Sequence, residues 1–456
     1  MDKKSRKVDL LSGSIVKGMI SFCIPIFIGQ LLQQLYNAAD AWVLGNYADN
    51  YSFAAVSSGG NISFFIIGFL TGLGAGGGIV VSRYYGEKDR KALDTAIHSD
   101  ILFGLICSVL ATVLGLVLIP QLLRIMNTPA EVMPYSLLYF RIIFGGITAS
   151  VMYNCCMSVM QAIGDSFHPL LYLIFSSILN VVLDFVLVAH FNMGVAGAAI
   201  ATVFSQGVSA VLCLIHMSCF YKEFRLVPAH IFRWNGKVLG QILEQGLPMG
   251  VQNSVISIGN MVVQTNINSF GPNAMSGMGA YSKVEGFVFI PIMGISMAIP
   301  TFISQNLGAK QYDRAKKGAL LGVVVGVILS ELVGVLFIMF DRLILRFFID
   351  EESVIQYGLM HVHVVALFYC LLAYSHLTAG IMRGCGKAIV PMITMLSIWC
   401  VIRIIYVTIA IQIIPKFTTI SWCYPLTWTL SSIVFTIWLL KNDWTHNANI
   451  SKEYSK

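Results

Sequence analysis

Charged residues are scarce in this sequence. Of 456 residues, 29 are Lys or Arg and 22 are Asp or Glu, so only 11% are charged, against about 25% in typical globular proteins. Hydrophobic residues make up 57%, and the mean hydropathy is +0.77. A soluble protein of this length could not cover its surface with so few charges. The composition predicts a polytopic membrane protein and excludes a disordered chain, a secreted disulfide scaffold and a nucleic-acid-binding protein.

Motifs for catalysis, metal binding and nucleotide binding are also missing. The ten cysteines lie in apolar runs, with neither a C-x-x-C pair nor zinc-type Cys/His spacing. The glycine-rich run at 72–78 lacks the G-K-[ST] ending of a phosphate-binding loop, and close helix packing explains it better. No G-x-S-x-G or H-E-x-x-H motif occurs. We therefore predict a protein that is not an enzyme, needs no cofactor and uses an ion gradient rather than ATP.

Long apolar stretches account for most of the chain. About 20 apolar residues cross a hydrocarbon core of about 30 Å as a helix, and the stretches here are too long and continuous for barrel strands. We predict an all-α fold of twelve transmembrane helices, at roughly 15–44, 52–82, 94–120, 134–160, 167–190, 193–220, 237–268, 275–305, 317–340, 355–382, 388–412 and 418–441.

The positive charges indicate the orientation. With a cytoplasmic N-terminus, the inside segments hold 22 Lys and Arg residues and the outside loops hold four, as the positive-inside rule requires. The basic start, MDKKSRKVDLLSGS, is typical of a cytoplasmic tail rather than a cleaved signal peptide. We expect a multi-pass protein of the cytoplasmic membrane with both termini inside.

The two halves of the sequence repeat. VSRYYGEKDRKA corresponds to ISQNLGAKQYDRAKKGA, and GDSFHP to GKAIVP. Six spans separate equivalent points, so the repeat is parallel, as in many secondary transporters. We predict two six-helix lobes, 1–235 and 236–456. The matching pairs, 222 or 223 residues apart, are Pro25 and Pro248, Asn37 and Asn260, Ser82 and Ser304, Gly86 and Gly308, Gly164 and Gly386, and Pro169 and Pro391.

Few charged residues lie well within the predicted spans. Each costs about 2.5–3.5 kcal/mol at the centre of a membrane helix, so such residues are candidates for function. Seven of the 51 are placed there: Asp40, Arg141, Asp184, Lys283, Glu285, Glu331 and Arg403.

Asp40 and Asp184 are the strongest candidates among these. Asn180 precedes Asp184 by one helical turn on the same face. Asp40 and Asp184 lie close to the outer ends of spans 1 and 5, and Thr202 lies nine residues into span 6, so all fall in the outer half. Two carboxylates, an amide oxygen and a hydroxyl at one depth predict either an oxygen cage for Na⁺ or a proton site.

A structural pairing of these acids with Arg141 or with the backbone is the alternative. The repeat argues against it, because the equivalent positions in the second half are not acidic. Asp40 corresponds to Val263, Asn180 to Ile402 and Asp184 to Tyr406.

Weaker candidates line the rest of a predicted substrate cavity. They share a polar side chain within a span: Gln33, Asn37, Asn154, Ser177, Gln206 and Glu285. Glu285 could instead form a structural ion pair, and Arg403 is the natural partner for it or for Glu331. His361 and His363 lie early in span 10, where we favour a hydrogen-bonded structural role over titration.

These features together resemble the multidrug and toxic compound extrusion (MATE) family over residues 15–440. The resemblance rests on PIFIGQLLQQLYNAAD in span 1, NVVLD in span 5, and the loops SRYYGEKDRKA and SQNLGAKQYDRAKKGA. It implies a V-shaped antiporter that expels organic, often cationic, drugs in exchange for Na⁺ or H⁺. The family's first-lobe cation site would be Asp40, Asn180, Asp184 and Thr202.

One departure from the family and two other functions bear on this prediction. Some members carry an acid in span 7, which here (LPMGVQNSVISIGNMVVQ) has none, so a first-lobe site is favoured. A flippase for lipid-linked oligosaccharides is the alternative, although it should have more cationic residues in its cavity. A membrane enzyme is a third. We expect a monomer that binds drug-like small molecules within the bilayer.

Overall fold

The computed structural model describes residues 7–125, 128–221, 225–349 and 351–446, apart from the side chains at 50, 53 and 57–65. Within these ranges the regular secondary structure is entirely helical. The first half contains α1 (Ile15–Tyr47), α2 (Asn50–Glu87), α3 (Arg90–Ile125), α4 (Met133–Gly145), α5 (Ile147–Ala162), α6 (Phe167–Asp184, continued by a π-helix, Phe185–His190), α7 (Gly194–Cys219) and the short α8 (Pro228–Ile231).

The second half repeats this order with more interruptions. It contains α9 (Gly236–Asn268), α10 (Pro272–Gly308), α11 (Tyr312–Met339), α12 (Asp341–Arg346), α13 (Glu352–Val365), α14 (Tyr369–Gly384), α15 (Ile389–Met395, continued by a π-helix, Leu396–Ile402), α16 (Arg403–Ile413), α17 (Phe417–Ser421) and α18 (Cys423–Lys441). A 3₁₀ turn, Ala366–Phe368, joins α13 to α14.

The predicted twelve-helix membrane fold is confirmed. In the described part of the chain, ten helical segments are long and apolar enough to cross a membrane, and α4 with α5, bent by 45° between them, makes an eleventh. The twelfth is α9, whose 33 residues are long enough but include the buried amides of Gln241, Gln245 and Gln252. Its amides bond inside the protein: Gln245 Nε2 donates to Gly386 O at 2.9 Å.

Equivalent loops of the two halves share their backbone conformation. Gly164 and Gly386, 222 residues apart, have φ of 86° and 80°. Lys88 and Lys310, at the same separation, both have φ of 58°. These left-handed positions end helices at matching points, so the repeat extends to the turns.

Two large apolar clusters form the cores of the lobes, and each takes in the first helix of the other half. Met19, Phe22 and Ile26 of α1 pack in the cluster formed mostly by α10–α18. Val238 and Ile242 of α9 pack in the cluster formed mostly by α2–α7. The lobes are therefore interlocked at the end of the bundle where α1 and α9 begin.

We call this end the basic end, because Lys88, Arg90, Lys310 and Arg314 lie at its helix termini. Here α2 lies directly against α9, with glycine facing glycine. A Cβ on Gly72 would lie 2.5 Å from Gly250 N, and one on Gly76 would overlap Gly246 N. Only glycine permits this backbone-to-backbone approach, which gives the run at 72–78 its packing role.

Hydrogen bonds between the lobes lie in the same region. Ser304 Oγ donates to Ile79 O at 2.9 Å and Gln305 Nε2 donates to Ala162 O at 2.7 Å, both buried. Tyr84 OH donates to Gln241 Oε1 at 2.9 Å. The structure is therefore closed at the basic end.

The segment 7–13, which we call the strap, crosses this closed end and touches both lobes. Val8 N donates to Gly164 O at 2.9 Å. On the other side, Arg314 donates through Nε to Leu10 O at 3.2 Å and through Nη1 and Nη2 to Gly13 O and Ser12 O at 2.8 Å each. The strap therefore connects the two lobes. Val8 bonds to the first lobe, and Arg314 of the second lobe donates to three backbone carbonyls of the strap.

We expect Gly76→Ala to loosen the α2–α9 contact, because the added methyl overlaps the backbone at Gly246. Overpacking of this kind costs about 1–3 kcal/mol. Spin labels at positions 88 and 310 should report a longer distance in this variant. Gly279→Ala, where nothing lies within 4 Å of the new methyl, is the control, and an equal distance in both variants would contradict the prediction.

Candidate functional site

The four residues predicted as a cation site come together where α1, α6 and α7 meet. Thr202 Oγ1 donates to Asp40 Oδ2 at 3.4 Å and lies 3.0 Å from Ala198 O of its own helix. The side chains of Asp184 and Asn180 lie close enough to Asp40 to interact with it, although no direct hydrogen bond joins the three among the described residues. Because Asp184 is the last residue of α6 before the π-helix, the helix changes its winding directly after the site.

Many polar atoms at this site lack a hydrogen-bond partner. The side chains of Asn180 and Asp184 are 2% and 1% exposed. Among the described residues, no partner is found for Asp40 Oδ1, for either oxygen of Asp184, or for Asn180 Oδ1 and Nδ2. Two facing carboxylates are both acceptors, so they need a proton or a cation between them. The donor set fits either one, since hard cations prefer oxygen ligands.

The alternative, a structural ion pair with Arg141, has no support in the described part of the chain. Neither acid forms an ion pair there, and the side chain of Arg141 is exposed.

A small cavity with room for one water-sized or ion-sized guest adjoins the site. Ser177 and Gln206, predicted from the sequence, line it together with Asn180 and Thr202. Tyr36 and Ser205 also line it and were not predicted. Tyr36 precedes Asp40 by one turn of α1, and this i, i+4 spacing is the signal that could have identified it.

The remaining residues of the first lobe that were predicted to line the cavity are Gln33, Asn37 and Asn154, and their surroundings differ. Gln33 lies near the hydroxyl of Tyr36. Asn37 is exposed. Asn154 Nδ2 donates to Ser150 O of its own helix at 2.8 Å.

Glu285 belongs to the other lobe rather than to this cavity. Its Oε1 accepts from Tyr281 OH at 2.9 Å, and Tyr281 OH lies 2.9 Å from Tyr369 OH. It is thus part of a buried tyrosine–carboxylate group within the second lobe.

The ion pair expected between Arg403 and a glutamate does not form among the described residues. Arg403 instead donates to Asn260 Oδ1 at 3.0 Å and to Thr427 Oγ1 at 2.9 Å. Glu331 Oε2 accepts from the backbone N–H of Cys370 at 3.1 Å. Arg403 and Glu331 therefore form hydrogen bonds with neutral groups.

The structural role expected for the two histidines agrees with their contacts. His361 Nδ1 lies 2.8 Å from Ser421 Oγ in the buried core. His363 Nε2 lies 2.6 Å from Asp341 Oδ2 on the exposed side.

A third polar cluster lies in the loop before α6, at the basic end. Asp165 accepts from His168 Nδ1 at 2.7 Å and from Tyr221 OH at 2.6 Å. Burial acts to raise the pKa of Asp165, but these hydrogen bonds and the nearby His168 lower it overall. Asp165, His168 and His216 could together reach one metal ion, yet the carboxylate already has its partners and His216 Nδ1 lies 2.7 Å from Tyr172 OH. We interpret the cluster as a cap on α6.

One buried acid was missed by the sequence analysis. Asp100 of α3 is 0% exposed, although it lies only six residues inside the predicted span 94–120. The predicted span begins at 94, whereas α3 begins four residues earlier, at Arg90, so Asp100 lies deeper in its helix than the sequence predicts.

Two interlocked six-helix lobes in a membrane, closed at one end, are an architecture of membrane transporters. The model of the family described as MatE matches twice, at residues 25–186 and 248–409. The chain belongs to the MatE family, and the two matches begin 223 residues apart, as the repeat does.

Known relatives are similar to this chain over most of their length. The probable multidrug resistance protein YpnP of Bacillus subtilis is 29% identical over 86% of this chain and 87% of its own. The multidrug export protein MepA of Staphylococcus saprophyticus is 21% identical over 82% of each chain. A solved outward-facing multidrug resistance MATE transporter superposes with a TM-score of 0.87, at 23% identity, over 96% of this chain and 98% of that one. The likeness to this structure shows the fold.

Trp42 gives a test of cation binding. It lies two residues after Asp40, and its ring centroid is 6.0 Å from that of Phe185, which follows Asp184. A cation between the carboxylates should draw α1 and α6 together. Acidification or added Na⁺ should therefore change the tryptophan fluorescence of the protein, and this change should be absent in Trp42→Phe. Asp184→Asn should abolish the change and Glu331→Gln should keep it, whereas a full response in Asp184→Asn would refute the site.

Proposed function

We propose that this transporter exports drug-like organic molecules across the cytoplasmic membrane in exchange for H⁺ or Na⁺. The buried pair of Asp40 and Asp184 carries the proposal. Its carboxylate oxygens outnumber the donors around them, so the site gains most by binding a small cation. The names of YpnP and MepA, which refer to multidrug resistance and export, support this substrate class.

The sidedness follows from charge. The segments predicted to face the cytoplasm carry 22 of the 29 Lys and Arg residues. Described members of this set, such as Lys88 and Arg314, lie at the basic end, so we place this end in the cytoplasm. Since the lobes touch at that end through Gly72, Gly76, Gly246 and Gly250, the conformation is closed to the cytoplasm. In this state the acidic pair would receive a cation from outside.

Exchange requires that the cation and the drug favour different conformations. A cation bound between Asp40 and Asp184 neutralises the charge that attracts a cationic drug, and so lowers drug affinity in the outward-facing state. The coupling free energy is limited by how much the binding free energy of each ligand differs between the two conformations. Gln33, Asn37, Asn154, Ser177 and Gln206 would offer the drug hydrogen bonds.

One chain is sufficient for this cycle. Both lobes and their cytoplasmic contacts, such as Ser304 with Ile79, come from the same polypeptide. We therefore propose a functional monomer.

Asp40→Asn should abolish coupled export. The amide preserves the shape of the side chain but cannot hold a proton or supply a negative ligand oxygen. Drug efflux from proteoliposomes, driven separately by a pH gradient and by a Na⁺ gradient, should fall to the level of empty liposomes. Glu331→Gln makes the same chemical change in the other lobe and should retain export; normal gradient-driven efflux in Asp40→Asn would overturn the proposal.

Arg314→Ala should release the strap. Hydrogen bonds from a charged donor contribute about 1.5–3 kcal/mol each, and Arg314 donates three to the strap. Hydrogen exchange of the amides of residues 8–13 should therefore accelerate roughly tenfold or more. Lys317→Ala, at an exposed position of the same helix, is the control, and unchanged exchange in Arg314→Ala would show that the strap is held by other contacts.

A further inference from the structure

Asp100 is a fully buried acid to which the proposed exchange mechanism gives no role. Its side chain is 0% exposed, and neither carboxylate oxygen has a hydrogen-bond partner among the described residues. It lies ten residues into α3, about 15 Å from the start of the helix at the basic end. The pair Asp40 and Asp184 lies toward the opposite end of α1 and α6.

Among the described residues, no positively charged side chain forms an ion pair with Asp100. On the α2 side it fits against the bare backbone of Gly77, where an added Cβ would overlap Oδ1. The titratable groups close enough to interact with it are thiols: Cys107 on α3, and Cys155 and Cys156 on α5. Thiols are weak donors and carry no positive charge.

An ionised carboxylate in such a place would lack both a counter-charge and a hydrogen bond. Burial of an unpaired charge is far more costly than burial of a neutral acid, so the group neutralises instead. We propose that Asp100 is a second proton-binding site, which holds a proton while the basic end is closed and releases it when the lobes separate there.

The position of α2 links Asp100 to the contact between the lobes. Gly77 faces Asp100, while Gly76, the preceding residue, faces the backbone of Gly246 on α9. α2 is therefore the wall between the acid and the α2–α9 contact. If α2 shifts away from α3 as it parts from α9, water from the basic end can reach the carboxyl group, which then ionises.

In the transport cycle, Asp100 would add one proton to those exchanged at Asp40 and Asp184, provided that the proton it releases to the cytoplasmic side is replaced from the outer side before the next release. This part of the inference rests on the proposed function. The protonation of Asp100 does not, and it can be tested without any drug.

The first measurement is infrared difference spectroscopy of the purified full-length protein at neutral pH. The spectrum of the unaltered protein minus that of Asp100→Asn should contain the carbonyl band of one protonated carboxyl group. Asp100→Ser serves as a second variant if the amide does not fold. Absence of the band from both difference spectra would overturn the inference.

Opening the basic end gives the second measurement. Gly76→Ala should diminish the band, because water reaches Asp100, and Gly279→Ala should leave it intact. A band of equal size in Gly76→Ala, once spin labels at positions 88 and 310 show that the end has opened, would overturn the coupling to lobe separation.

The third measurement counts protons in proteoliposomes. Asp100→Asn should move one proton fewer per drug molecule exported, with drug export itself retained. An unchanged ratio of protons to drug would overturn the role in transport. If Asp40→Asn loses export but keeps the infrared band of Asp100, the two sites are separate.

Discussion

Two carboxyl groups that face each other away from water cannot both stay ionised without a positive charge between them, and the function of this protein depends on that constraint. Asp40 comes from α1 and Asp184 from α6, with Asn180 and Thr202 beside them. Among the described residues, most of the polar atoms of Asp40, Asp184 and Asn180 have no hydrogen-bond partner. The deficiency is useful, since an acidic pair with all its hydrogen bonds made would have no reason to bind and release a cation.

The repeated fold serves two different chemistries. The position equivalent to Asp40 is Val263, which is 1% exposed in the apolar core of the second lobe. That lobe places its buried polar groups elsewhere, in the hydrogen bonds of Glu285 with Tyr281 and of Arg403 with Asn260. The fold therefore tolerates either an apolar or an acidic side chain at this point of the repeat, and the proposed cation site belongs to one half only.

The sequence was sufficient to predict the helices, the repeat and the residues of the acidic pair, because each leaves a one-dimensional signal. Hydrophobic length indicates a span, and equal depth along spans brings Asp40, Asp184 and Thr202 together. Contacts between helix faces leave no such signal. The partners of Arg403 depend on how α9, α16 and α18 are rotated. Asp100 was overlooked because helix boundaries predicted from sequence are uncertain by several residues, and it lies within that margin.

The crossed packing of the first helices determines how the chain can be divided. Met19 and Phe22 lie in the core of the second lobe, while Val238 and Ile242 lie in the core of the first. If the connection between α7 and α9 were cut and the halves separated, each half would expose the apolar face of its own first helix. Each core would also lack the helix that the other half contributes. Two separately made halves would therefore be stable only as a pair, so any ancestral single-repeat protein with this packing would have been an obligate dimer.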